Sequence, residues 1–395
     1  MNFPTGGADA PVFVFGGLNS PNVITPKKED STVDRNNAVL RSVDKPIKWS
    51  RLALDGGLKT KLDSCVLPAG KMKTGSQLLK SLLEHQQQKF IPSAVKELFK
   101  EALPLEAQWD SYFNERNENS PFITLLERHA AKTVSAKTGG TSRAMDATTT
   151  TAVAQQIAFV EEFRRLKAIV DFKGAADRYP RSKTVWAEKY YSPMLELMAQ
   201  GTPNAEIENV SDSSVNPKWI PTCKVEGCEV KIDYALLLFT TRVSTKRTSY
   251  FVSGLELPTL GISESPVQRI LPMGIFVKVK SDGQTIEDAK NQLASWTASW
   301  FNRVAALPSR SPSSTPPKLP FMPILLVDGV SWDLYFAFNE SSAYDICGPL
   351  TIGDTRTLTN AYSLLAVLRD IANWFSIDFA TWAKACVEEV PSLYM

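Results

Sequence analysis

Histidine is nearly absent from this sequence, which has only two among its 395 residues, His85 and His129. Both lie in polar contexts typical of helices or helix ends, so multi-histidine metal sites and Ser-His-Asp catalysis have little material here. The five cysteines are scattered, and their one close pair, Cys223 and Cys228, lacks a second Cys or His pair at zinc-ligand spacing. These counts argue against a zinc site and favour a reducing, intracellular setting.

The sequence also lacks a long apolar run and an excess of charge. The apolar run "YALLLF", among the longest, falls far short of the roughly 18 residues of a membrane span, and the first residues do not resemble a signal peptide. Lys plus Arg total 44 against 42 Asp plus Glu, so the net charge of +2 gives no global attraction to a polyanion. We expect a soluble cytoplasmic or nuclear protein without a membrane partner, and nucleic-acid binding only through a local patch.

The composition is globular, with 43% hydrophobic and 22% charged residues. Residues 1–70 are rich in Gly, Pro, Asn, Asp and Lys and are predicted to be largely irregular. Residues 71–150 are predicted to form a helical extension that ends in a small, polar, flexible loop. Residues 151–395 are predicted to form one α/β domain.

The order of elements in the last part predicts a mixed sheet covered by helices on its faces. An amphipathic helix is indicated by Phe159, Phe163, Leu166 and Val170, which share one face, and a second helix by "TVWAEKYYSPMLELMAQG". Strands are indicated in "CEVKIDYALLLFTTRV", "TSYFVSGLEL" and "ILPMGIFVKVK". A helix from "IEDAKNQL", a hairpin turning near Asp328 and Gly329, and a closing pair of helices complete the pattern.

Three polar residues of these elements form a candidate site. Asp233 lies in the apolar run "KIDYALLLF", where a carboxylate is costly unless it is paired or ligates a metal. Lys278 lies in the second strand run, and Gln292 opens the following helix on its polar side. Each residue taken alone also fits a structural ion pair or a solvated helix position.

An acid on one strand, a lysine on the next and a glutamine one helix later resemble the core of the PD-(D/E)XK nuclease-like superfamily. The segments "LLVDGVSWDLYFAF", "GPLTIGDTRTLTNAYSLLAVLRDIANWF" and "ATWAKAC" resemble its fungal branch, over roughly residues 150 to 390. The resemblance implies a restriction-endonuclease-like fold. It also implies, for active members, that the acids hold magnesium while the lysine orients the attacking water.

The sequence departs from that motif at one position. The resemblance assigns the aspartate to Asp233 and the lysine to Lys278, but the second acid falls on Phe276. A helical acid that is often present upstream falls near Lys183 or Trp186, unless Glu188 replaces it. A phenyl ring cannot ligate magnesium, so we expect the metal site to be lost and no cofactor to be needed.

Alternation along "GIFVKVK" places Phe276, Lys278 and Lys280 on one face and apolar residues on the other. We therefore predict Asp233 and Lys278 as catalytic residues and Phe276 and Gln292 as ligand-binding residues. Further ligand-binding candidates are Lys280, Glu256, Lys231 and Trp296, although the helical position of Trp296 equally fits packing.

Three functions remain open. The first is a cleft that binds a small organic intermediate and directs a metal-independent cyclisation or isomerisation in fungal secondary metabolism. The second is a magnesium-dependent DNA endonuclease that recruits a displaced acid, Glu256 or Glu188. The third is a catalytically inert module that binds DNA or a protein.

Overall fold

The computed structural model describes residues 45–50, 75–85, 91–102, 113–114, 147–179, 181–222, 229–239, 260–263, 271–307 and 319–388. All of these lie in a unit that spans residues 41–395. The predicted strand in "TSYFVSGLEL", the Cys223 and Cys228 pair and the candidate Glu256 lie outside the described residues. Within the described helices, none combines the length and the apolar character that a membrane crossing needs.

A seven-stranded mixed sheet forms the centre of the fold. Its strands are β1 (Ile47–Ser50), β4 (Ala205–Asn209), β5 (Tyr234–Leu238), β6 (Met273–Val279), β7 (Met322–Asp328), β8 (Ser331–Asn339) and β9 (Tyr344–Asp354), in the spatial order β1-β9-β8-β7-β6-β5-β4. The pairs β1–β9 and β6–β7 are parallel, and the other four pairs are antiparallel. Two short strands, β2 (Ile91–Pro92) and β3 (Phe113–Asn114), form a separate parallel pair. The mixed sheet confirms the predicted fold class.

Helices cover both faces of the sheet. They are α1 (Gly75–His85), α2 (Lys96–Ala102), α3 (Ala147–Ala176), α4 (Lys183–Trp186), α5 (Ser192–Ala199), α6 (Ile286–Ala305), α7 (Leu358–Trp374) and α8 (Ala380–Glu388). Two π-helical turns, Ala187–Tyr191 and Phe375–Phe379, join α4 to α5 and α7 to α8. The predicted division near residue 150 remains a prediction, and α3 runs through that position.

The apolar pattern of the sequence determines which face each helix covers. In α6 the Trp296 and Trp300 rings pack against Phe276 of β6, so α6 covers the face of the sheet that carries Phe276. On the opposite face, the Ser192 hydroxyl at the start of α5 donates to the Tyr234 hydroxyl of β5. The helix α6 begins at a capping box, in which Thr285 and Asp288 satisfy each other's backbone amides.

The β7–β8 hairpin turns at Gly329, as predicted. Gly329 has a positive φ of 59°, which glycine adopts without strain. Gly201, which follows α5, has a φ of 84°, a conformation that suits glycine after the end of a helix. The strand β1 was not predicted, and it lies within the segment that the sequence indicated to be largely irregular. It pairs with β9 and so forms one edge of the sheet.

Candidate functional site

The candidate site lies where β5 begins and β6 ends. Asp233 directly precedes β5, and its backbone amide donates to the carbonyl of Val277 at 3.0 Å while its carbonyl accepts from Val210 at 2.9 Å. The pairing of β5 with β6 ends at Tyr234, which directly follows Asp233, and at Val277, which directly precedes Lys278. At this point the Lys278 ammonium nitrogen comes within 3.2 Å of Oδ2 of Asp233. The sheet therefore brings together the two residues that the sequence predicted as catalytic.

Both carboxylate oxygens of Asp233 are occupied by hydrogen-bond donors. The Lys183 ammonium group donates to Oδ1 at 2.7 Å, and the backbone amide of Val279 donates to Oδ2 at 2.8 Å. The Lys278 ammonium nitrogen lies 3.2 Å from the same Oδ2. The Asp233 and Lys278 side chains are only 5% and 6% exposed, whereas Lys183 is 53% exposed. The result is a buried ion pair that is extended to the surface by a second lysine.

Two buried tyrosines, Tyr191 and Tyr234, lie near enough to Asp233 for its charge to raise their pKa values. The π-helical turn directs both Tyr190 and Tyr191 inward, and the Tyr191 hydroxyl donates to the Gly329 carbonyl at 3.3 Å. Burial raises the pKa of Tyr191, and the nearby Tyr190, Tyr234, Asp233 and Asp282 raise it further. Burial also raises the pKa of Tyr234, although its hydrogen bond from Ser192 opposes the shift. These phenols therefore stay protonated near neutral pH and act as neutral hydrogen-bonding groups.

Phe276 occupies the position of the missing acid and is fully buried. Its ring lies 6.4 Å from that of Trp296 and 6.0 Å from that of Trp300, in edge-on contacts with α6. Trp296 is fully buried as well. Both side chains are thus part of the layer between sheet and helix, where α6 covers the face that Phe276 shares with Lys278. The predicted contact of Phe276 and Trp296 with a ligand remains a prediction.

The other predicted residues lie around the site with partners of their own. The Gln292 side-chain oxygen accepts from Gln284 at 3.0 Å. Lys280 pairs with Asp328 at 3.0 Å, beside the β7–β8 turn. Lys231 pairs with Glu229 at 2.7 Å instead of with Asp233. None of these three contacts Asp233 in the part of the chain that the structure describes, and their roles as ligand-binding residues stay predictions.

Lys183, Tyr191, Tyr234 and Ser192 are members of the site that sequence reasoning did not predict. The family pattern did identify the position of Lys183, but only as a place where an acid was missing. The two tyrosines and the serine carry no sequence signal of their own. All three are next to apolar core residues in the sequence. Only the packing of α5 on β5, where Ser192 donates to Tyr234, brings them near Asp233.

The residues present do not match the magnesium ion that a nuclease fold implies. Magnesium requires several oxygen ligands, but both oxygens of Asp233 accept from N–H groups and two ammonium groups lie within 3.2 Å of them. Position 276 supplies a buried ring. Among the residues described, no group of three or more His, Cys, Asp or Glu side chains could hold a metal ion. Glu188, a proposed substitute, is exposed and does not contact Asp233 in this region.

Comparison with known proteins agrees with this architecture. The family model of the PD-(D/E)XK nuclease superfamily matches residues 133–380, which is more than half of the chain. That range contains α3 to α7, six of the seven strands of the central sheet and the whole ion cluster. No curated protein and no solved structure matches the chain. The extent of the family match, on a mixed sheet with an aspartate and a lysine at the expected strand positions, shows that this chain belongs to the PD-(D/E)XK nuclease superfamily.

Proposed function

We propose that this protein is a metal-independent member of the superfamily, which binds a small organic intermediate and catalyses its cyclisation or isomerisation. One observation carries the proposal. The Asp233 carboxylate, which would ligate the metal in a nuclease, is held instead by Lys183, Lys278 and the Val279 amide. Lys183 lies at one carboxylate oxygen and Lys278 at the other, where a metal ion would otherwise be bound.

The Asp233 carboxylate and its two lysine partners could transfer a proton without a metal. A carboxylate can accept a proton from carbon, and an ammonium group can stabilise the negative charge that develops on a neighbouring oxygen. Asp233 would be the base, and Lys278, which is buried beside it, would orient the carboxylate. Holding the substrate in a reactive geometry would supply a further part of the rate acceleration.

The small net charge of +2 and the aromatic layer beneath the site also favour a small organic substrate over a nucleic acid. A role in fungal secondary metabolism is part of the same proposal. Neighbouring genes that encode a polyketide or terpene synthase would support it, and a neighbourhood of chromatin-related genes would contradict it.

Cyclisation and isomerisation leave the molecular mass unchanged, and this gives a direct test. The gene is replaced in the source organism by the Asp233→Asn variant, and extracts are compared by mass spectrometry. We expect one product to vanish and a compound of identical mass but different retention time to accumulate. The purified wild-type protein should then convert the accumulated compound in EDTA.

The two alternative functions predict different results in the same assays. A nuclease would cleave plasmid DNA when magnesium is added, and Asp233→Ala would abolish that cleavage. An inert binding module would produce no accumulated isomer and no cleavage. Either result would refute the proposed reaction.

A further inference from the structure

The three charged groups of the site differ sharply in their access to solvent. The Asp233 and Lys278 side chains are 5% and 6% exposed, but the Lys183 side chain is 53% exposed. Within the described residues, the single hydrogen-bond partner of Lys183 is Oδ1 of Asp233. A molecule that approaches from solvent therefore meets Lys183 first, before Asp233 or Lys278.

The excess positive charge of the cluster lies on its solvent-facing side. One carboxylate faces two ammonium groups, so the three side chains carry a net charge of about +1 at neutral pH. The buried half is already neutral, because Lys278 and the Val279 amide share Oδ2. The remaining positive charge is at the half-exposed Lys183, where it favours an anion and disfavours a cation.

We propose that Lys183 is a catalytic residue of this site, and that the substrate presents to it an anionic oxygen, as a carboxylate or as the enolate formed during reaction. This inference rests on the proposed metal-independent function and identifies its substrate class. In the superfamily pattern, an acid at this helical position ligates the metal. In this protein the position holds Lys183, whose ammonium group would bind the substrate.

Binding at Lys183 also explains how Asp233 becomes a base. When the Lys183 ammonium group turns from Oδ1 to the substrate oxygen, Oδ1 loses its hydrogen bond and is free to accept a proton. Asp233 then takes a proton from a C–H bond next to a carbonyl group. The electron pair of that bond moves to the carbonyl oxygen, which Lys183 stabilises as an enolate. Where a carbon–carbon double bond is conjugated with the enolate, the electron pair returns from the oxygen through that double bond, and Asp233 delivers the same proton to its far carbon, so no other reactant is needed.

The test measures the binding of malonate, a small dianionic dicarboxylate, to the purified full-length protein in EDTA by isothermal titration. Malonamide, which has the same size but no charge, is the neutral comparison. We expect malonate to bind, malonamide not to bind, and added salt to weaken the malonate complex. Lys183→Met should lower the affinity by about tenfold or more, the range for loss of a hydrogen bond to a charged group. Lys183→Arg should keep it within about threefold, since the charge is preserved.

Lys189→Met is the matched control, because Lys189 is an exposed lysine of the adjoining π-helical turn and lies outside the site. It should bind malonate like the wild type. Lys183→Glu should lose malonate and instead bind magnesium, because it places a second carboxylate beside Asp233. Lys183 is half-exposed, so all these variants should fold, and thermal unfolding verifies this.

Equal malonate affinity in the wild type and in Lys183→Met would overturn the inference, as would a failure of the wild type to bind malonate. The proposed function fails in a different way. If the wild type binds magnesium and Asp233→Asn abolishes that binding, the metal-independent site itself is refuted.

Discussion

Two buried carboxylates of this protein have nearly equal burial and opposite surroundings. Glu162 of α3 is 2% exposed and accepts from Arg369 of α7 at 2.5 Å, between helices whose contacting faces are apolar. Asp233 is 5% exposed, but one of its two lysine partners reaches solvent. The Arg369 side chain is only 14% exposed. Burial of the carboxylate thus does not separate the two ion pairs. They differ in whether the cationic partner reaches solvent, and the proposed mechanism depends on that access at Lys183.

The largest expected effect is on the free energy of unfolding, at the buried pair of Glu162 and Arg369. Glu162→Gln leaves the Arg369 charge without its carboxylate in a buried position and should lower the free energy of unfolding by about 3 kcal/mol. Denaturant titration measures this loss. Malonate binding at Lys183 should not change in the folded protein.

Glu161→Gln is the control for that experiment, because Glu161 is the exposed neighbour on α3. Its effect should stay within about 0.5 kcal/mol. Equal effects of the two substitutions would show that the buried pair does not stabilise the helices.

A smaller loss of stability is expected at the site. Asp233→Asn keeps the side-chain shape but removes the carboxylate charge from Lys278 and weakens the bond from the Val279 amide. We expect a loss of about 1.5–3 kcal/mol, together with the complete loss of isomer conversion. Asp212→Asn, at an exposed aspartate, serves as the control for both measurements. Conversion that survives in Asp233→Asn would remove Asp233 from the mechanism.

Lys183→Met should separate stability from function most clearly. The Lys183 side chain is half-exposed, so its ion pair should contribute less than about 1 kcal/mol to the free energy of unfolding. We nevertheless expect conversion to fall by more than tenfold, because Lys183 binds the substrate oxygen in the proposed mechanism. A large loss of stability with normal conversion would assign Lys183 a structural role and abolish the contrast with Arg369.

Alkaline pH offers a weaker test of the same contrast. Burial raises the pKa of Tyr362, beside Glu162, well above its usual value, and the pKa of Tyr234, beside Asp233, is also raised. A raised folded-state pKa gives stability that is complete below the unfolded value of about 10 and is lost as the pH rises above it. Near pH 11 each tyrosine should cost at most about 1.4 kcal/mol. Unfolding curves of Tyr362→Phe and Tyr234→Phe near pH 9 and near pH 11 measure the two contributions. The larger one should belong to Tyr362.

The sequence predicted the elements whose signals are local. The helix from Ile286, the hairpin at Asp328 and Gly329, and the two closing helices lie where periodicity and turn residues placed them. A partner for Asp233 was also predicted, because a carboxylate in an apolar strand requires one, and the family resemblance indicated Lys278 at the same site.

What the sequence could not predict depends on contacts between distant residues. Glu162 is not one of the apolar residues that indicated its helix, and its partner Arg369 lies 207 residues further along the chain. Phe276 alternates with two lysines and so suggested a polar face, yet Trp296 and Trp300 of α6 cover that face. Lys183 precedes its partner Asp233 by 50 residues. In each case tertiary packing determines the partner, and the local periodicity of the sequence carries no information about such distant contacts.

The pairing of β1 with β9 has a consequence for how the chain is made. Trp49 aligns with Ile346, and the Ser50 hydroxyl donates to the Asp345 carboxylate at 2.6 Å, so among the strands that the structure describes the first along the chain pairs with the last. On the ribosome β1 emerges well before this neighbour, because Ser50 and Asp345 are 295 residues apart in the chain. Until β9 has been made, the edge of β1 that will pair with it is open to strands of other chains.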